Sequence, residues 1–189
     1  MIEYQIAAAG PLIDPWGIYS IFDNVSLKEH HILGDAQQIA FGICSIGNRA
    51  EETAESCFRK KEYLEGLVLD AIGTVVVENL AELIRQEIKG KASELGLRMS
   101  ARFCPGYENW PLDGQRLIFQ HFSDEPLRVI TNGSLMMIPR KSLSFAYKLG
   151  TREFDDNQTG SCRHCTLRAH CAYKKDDLDN PRDKAACPS

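Results

Sequence analysis

Arg102, Cys104, Pro105, Gly106 and Tyr107 fall within one short run, ARFCPGY. An arginine offers a planar fork of donors that matches a carboxylate. A glycine lets a ligand lie against bare backbone. A tyrosine adds a ring face and a phenol that donates. The same Pro-Gly pair is also what a type II turn between a strand and a helix requires. The spacing therefore fits a ligand loop and a plain connector alike.

A second group of reactive residues lies near the end of the chain. Cys162, Cys165, Cys171 and Cys187 follow the pattern C-x2-C-x5-C-x15-C-P. Four thiolates complete a tetrahedral zinc site, with His164 or His170 as substitutes. They equally suit an iron–sulfur cluster, whose ligands often include a close pair and a final Cys-Pro. A flexible end with exposed thiols is the plain alternative. Cys44 and Cys57 stand apart, in strand-like and helix-like surroundings, and are read as small core residues rather than nucleophiles.

These residues need elements to position them. EYQIAAA (3–9) could open the chain as a strand, and PLIDPWG (11–17) reads as loop. QQIAFGICSIG (37–47) predicts a buried strand. Residues 49–96 predict helix, charged and exposed at first. From Tyr63 to Ile88 the apolar residues Leu64, Leu67, Val68, Ala71, Ile72, Val75, Val76, Leu80, Leu83 and Ile84 recur at helical steps, which marks a core helix. Gly66 and Gly73 cost helix propensity, so close packing is expected there. LRMSARF (97–103) predicts a strand, CPGYENWP a turn, and LDGQRLIFQHF (112–122) a short amphipathic helix. LRVI (127–130), LMMIP (135–139) and SLSFAYKL (142–149) are further strands. Strands and helices mix without regular βαβ alternation. The expected class is α+β, with a twisted, mainly antiparallel sheet, a long core helix and a short amphipathic one. The expected division is a domain over 1–150, a polar linker over 151–161 and a Cys-rich metal-binding tail over 162–189.

Composition narrows the function. With 43% hydrophobic and 25% charged residues the chain should bury a core. A net charge of −4 argues against a general nucleic-acid binder and a polybasic membrane anchor. No apolar run approaches the roughly 20 residues needed to cross a bilayer. MIEYQIAAAG has no positive leader and is not read as a signal peptide. A cytoplasmic location is expected. In such a reducing compartment clustered cysteines suggest metal before disulfides. No glycine-rich nucleotide loop is present, which disfavours an ordinary Rossmann methyltransferase.

R-x-x-P-G-Y resembles the S-adenosylmethionine-binding motif of the activation domain of cobalamin-dependent methionine synthase. Other pieces are similar in the same order. LDAIGTVVVENLAE (69–82) resembles the long family helix ahead of the motif, and GYENWPLDGQRLIFQHF the segment after it, common in stand-alone activation-domain-like proteins of anaerobes. GSLMMIPRKSLSFAY (133–147) resembles the family stretch T-E-S-x-x-M…P…S-x-S-x-x-Y. The likeness covers residues 35–150. It implies that Arg102 holds the ligand carboxylate and that the backbone at Cys104, Pro105 and Gly106 lines the ligand. Tyr107 and Tyr147 would orient it, and Glu82 would match a helix glutamate near the site. The family's T-E-S appears here as Asn132-Gly133-Ser134, without its carboxylate. An acidic residue that the full-length enzyme contributes has no clear counterpart; Asp14 and Asp35 are the nearest guesses.

The resemblance implies a reactivation role in a corrinoid-dependent methyltransferase (methionine synthase) system. Cob(I)alamin occasionally oxidises to inert cob(II)alamin, and rescue needs one electron and a methyl group. S-adenosylmethionine would sit on this chain and face the corrinoid of a partner protein. The electron would come from a tail cluster or from an electron donor protein. A non-enzymatic corrinoid-protein partner or chaperone with a structural tail metal is the alternative. EHHILG (29–34), with Glu29 and His31, brushes against the corrinoid motif D-x-H-x-x-G, but no Gly-Gly pair follows and the match is read as chance.

Overall fold

The computed structural model describes residues 10–107 and 110–154. The expected strand over 3–9 and the four tail cysteines lie outside the described residues.

Strand β2 (Gln38–Ser45) is buried along almost its whole length. A strand covered on both faces needs no polar alternation, which is why IAFGIC reads as one apolar run. β2 pairs antiparallel with β1 (Trp16–Asp23) on one side and β6 (Ser142–Gly150) on the other. The two-residue β3 (Arg98–Met99) extends β6, giving the order β1-β2-β6-β3, antiparallel throughout. A separate small hairpin joins β4 (Ile130–Thr131) to β5 (Met137–Ile138). The expected strands over 97–103, 127–130 and 135–139 are thus present only as short pieces. β1 was not anticipated, because its Trp16-Gly17 start continues a Pro- and Gly-rich loop.

Helix α1 spans Arg49–Arg59 and α2 spans Tyr63–Glu94. One helix was expected across this stretch, yet the chain breaks at 60–62. Lys61 adopts φ 66°, and the Glu62 N–H donates to the Cys57 carbonyl at 2.9 Å, with Lys61 N–H to the Phe58 carbonyl at 3.0 Å. This is a Schellman stop. Such a stop usually carries glycine at its left-handed position; here a lysine holds it, so the sequence gives no punctuation. At the far end of α2 the same motif uses Gly96, with φ 69°.

The sheet has two covered faces. On one, Cys44, Phe145, Tyr147 and Leu149 meet Val77, Ala81, Ile84 and Ile88 of α2. On the other, Phe41, Ile43 and Ala146 meet Trp110, Ile118 and Phe122 around the short helix α3 (Gln115–His121). The buried stripe of α2 runs Leu69, Gly73, Val77, Ala81, Ile84, Ile88, Ala92. Of the expected core residues only Ile84 lies fully inside, while Ile72, Val76 and Leu80 are half-buried. Leu64, Leu67, Val75 and Leu83 are each more than half exposed. The helix is apolar around most of its circumference, so periodicity alone left the inner face undecided. Small residues decide it. A side chain at Gly66 would meet the Phe58 ring, and one at Gly73 the aliphatic stem of Lys141, so the close packing expected at both glycines is present.

Candidate functional site

The loop after β3 is pinned to β6 at two points. Ser100 exchanges hydrogen bonds with the Lys148 backbone at 2.9 Å in each direction. Phe103 and Ala146 exchange backbone hydrogen bonds of 2.9 and 2.8 Å in an isolated bridge. Phe103 packs toward the Trp110 side of the sheet. Extended backbone alternates its side chains, so Arg102 and Cys104 face the opposite way, toward α2. Cys104 accordingly packs among the α2-side residues.

Directly after Cys104 the chain makes the type II turn that Pro-Gly predicts. The Tyr107 N–H donates to the Cys104 carbonyl at 3.2 Å, and Gly106 takes φ 89°. Pro105 is buried, while Tyr107 is 71% exposed and so available to cover something.

Helix α2 brings three charges to the same region. Glu78, Glu82 and Arg85 follow one another at steps of four and three, on one helical face. Arg102 Nη2 donates to Glu78 Oε2 at 2.8 Å. Arg85 grips Glu82 through two bonds of 2.6 Å each. Those bonds, with a further one from Gln86, hold the Glu82 carboxyl down to about 2. Glu78 and Arg85 were not singled out from the sequence. Their spacing relative to Glu82 was the available signal, but it looks like any solvated helix face.

Tyr147 completes the cluster from β6. It feels the charges of Arg102, Arg85 and Glu82 and lies near Cys104. Its side chain is fully buried, yet its phenol oxygen has no hydrogen-bond partner among the described residues. A buried polar group left unpaired costs about 1–3 kcal/mol. Burial pushes the Tyr147 phenol up, the Cys104 thiol to about 11 and the Cys44 thiol to about 12. All three are neutral near pH 7, so the site holds no thiolate nucleophile. It offers instead two half-buried guanidiniums, two carboxylates and a phenol without a partner among the described residues. That set suits recognition of a ligand with both charges more than acid–base or covalent chemistry.

The structure thus gathers Arg102, Cys104, Tyr147 and Glu82, with Tyr107 at the rim. Asp14 and Asp35 are elsewhere engaged: Asp14 lies 3.6 Å from Arg128, and Asp35 lies 3.1 Å from Lys148 and from Arg152. His31 stacks on His30 with ring centres 4.9 Å apart, and His30 Nδ1 accepts the N–H groups of Ile32 and Leu33. Asn132 accepts from the N–H groups of Ser134 and Met136, so the 132–134 segment is a self-capped turn. A separate cleft lined by Asp14, Trp16, Gly47, Asn48, Arg128 and Pro139 shares no residue with the cluster.

The described residues have the fold of a methionine synthase reactivation domain. The solved structure of the MetH reactivation domain bound to AdoHcy superimposes with a TM-score of 0.62 over 78% of this chain, at 14% sequence identity. This chain spans 62% of that one's length, and at this identity the likeness concerns the fold. No family model and no curated protein sequence matches the chain. Among the described residues no helix is long and apolar enough to cross a membrane.

Proposed function

We propose that this chain binds S-adenosylmethionine and supports the reductive reactivation of a corrinoid-bearing methyltransferase. Arg102 carries the reading: on a reactivation-domain fold, its guanidinium already holds one carboxylate beside a buried phenol with no partner among the described residues. A ligand carboxylate would replace that of Glu78 on the same fork. The 104–106 backbone would line the ligand, the Tyr147 phenol would gain a hydrogen bond, and Tyr107 would close over it.

Bound S-adenosylmethionine supplies an electrophilic methyl group for the corrinoid of a partner, its sulfur keeping the electron pair of the broken S–C bond. Little proton transfer is required, and both carboxylates of the cluster are already held by arginines. This chain's part is position. The electron that makes the partner's corrinoid methyl-accepting would come from a centre on Cys162, Cys165, Cys171 and Cys187, or from an electron donor protein. Four thiolates fit iron–sulfur or zinc. Anaerobic protein that is brown and contains iron supports the first; colourless protein with stoichiometric zinc makes the tail structural. All four thiols freely alkylated with neither metal present would remove the centre.

Calorimetry with S-adenosylmethionine on anaerobically purified protein tests the main reading. Saturable heat supports it. No heat and no thermal shift would leave a non-enzymatic corrinoid-protein partner as the better reading. Two observations favour that second reading: Glu78 already occupies one arm of the Arg102 fork, and Asn132-Gly133-Ser134 brings no carboxylate.

A further inference from the structure

The N-terminal half of α2 carries an apolar stripe on the side turned away from the sheet. Leu64, Leu67 and Val75 are 56%, 62% and 61% exposed, Ala71 is exposed and Val68 is half-buried. Residues 64, 68, 71 and 75 recur at steps of four, three and four, the spacing of a seam between two packed helices. The other flanks of this half are already occupied. Phe58 of α1 packs over Gly66, and Ala54 and Leu69 share a cluster with Ile72. The stripe belongs to neither contact.

Its two ends differ in charge. Exposed Lys60, Lys61 and Glu62 precede it, with the Glu62 carboxyl turned to the Cys57 thiol of α1. Glu78 and Glu82 continue it, three and seven residues beyond Val75. We propose that this face joins two copies of the chain, their α2 helices antiparallel about a two-fold axis between Val68 and Ala71. That register sets Leu64 against Val75 and Val68 against Ala71 of the other copy. The small Ala71 at the crossing permits close approach of the helices. It also carries the Lys60–Lys61 end of each copy to the Glu78 end of the other, at both ends of the seam. A parallel arrangement would set like charges together instead. The Glu78 side chain is 48% exposed even while it holds Arg102, so a cation from a second copy reaches it. A pattern that is complementary to itself when reversed is what a two-fold contact requires. The inference does not depend on ligand binding.

Sedimentation velocity of the full chain over a concentration series tests it. The wild type is expected to shift from monomer to dimer as concentration rises. Ala71→Glu puts two carboxylates at the crossing and is expected to abolish the dimer. Circular dichroism should show its helix intact, because position 71 is exposed. Lys61→Glu is expected to weaken association about tenfold through two symmetric charge contacts. The double variant Lys61→Glu/Glu78→Lys should restore it. A wild type that stays monomeric at every concentration overturns the proposal and leaves the face to a different protein. A dimer that survives Ala71→Glu, or a charge swap that restores nothing, overturns it as well.

Discussion

Two arginines in this molecule hold glutamates from neighbouring helices, and they live in different surroundings. Arg140 binds Glu51 at 2.5 Å and Glu55 at 2.7 Å, and its own backbone N–H also donates to Glu51. The group is 58% exposed, and every contact ties the β5–β6 connection to α1. Arg102 bonds Glu78 through one arm of its guanidinium, is 31% exposed, and stands beside two thiols raised by burial and a phenol with no partner among the described residues. The first arrangement is solvent-exposed and ties two segments of the chain together. The second is incomplete. An ion pair alone therefore does not mark a site; an ion pair next to unsatisfied buried polarity is the better candidate.

The contrast can be tested most sharply by removing each guanidinium in turn. Arg102→Ala should weaken S-adenosylmethionine binding by about 1.5–3 kcal/mol, roughly ten- to a hundredfold, as a charge-assisted carboxylate contact is lost. Arg140→Ala should leave the titration unchanged. Equal losses in both variants, read by calorimetry, would erase the distinction.

A smaller effect, of opposite sign in the two states, is expected at Tyr147. Tyr147→Phe removes an oxygen that is unpaired among the described residues, so the ligand-free protein should gain about 1 kcal/mol in urea unfolding. The same variant should bind ligand less well. A loss of stability without ligand would mean that the phenol is already satisfied. Arg140→Ala should cost about 0.5–1 kcal/mol of stability, the range for an exposed network. The smallest effect is acid dependence at Glu82. Its carboxyl is held below the ordinary 4.5, at about 2, so its contribution is complete above pH 4.5 and fades as pH falls toward 2. Solvent screening of this exposed pair keeps the change to about half a kcal/mol. Arg85→Ala should flatten that part of the pH–stability curve.

Much of this architecture was legible in the chain. The β2 run, the β6 run and the Pro-Gly turn each declare themselves through residues whose backbone preference and burial agree. The helix break at Lys61 was not legible, since a left-handed lysine looks like any other charged residue. The inner face of α2 was hidden by an excess of apolar residues; glycines and alanines are interspersed along it, with Gly66 against Phe58 and Gly73 against Lys141. Within the candidate site, Arg102, Cys104 and Tyr147 were expected from the sequence because motif-like stretches surround them. Glu78 could not, because only the crossing of α2 over the 102–104 loop makes it Arg102's partner.

The isolated bridge between Phe103 and Ala146 gives the candidate site a built-in reporter. Most amides of the sheet are protected by ladders and open only with large parts of the molecule. The Phe103 amide depends on a single carbonyl across a two-residue contact. In deuterium exchange it should report the opening of the arginine-bearing loop separately from global unfolding. A ligand that engages Arg102 and the neighbouring backbone would slow that one amide, giving occupancy a local clock.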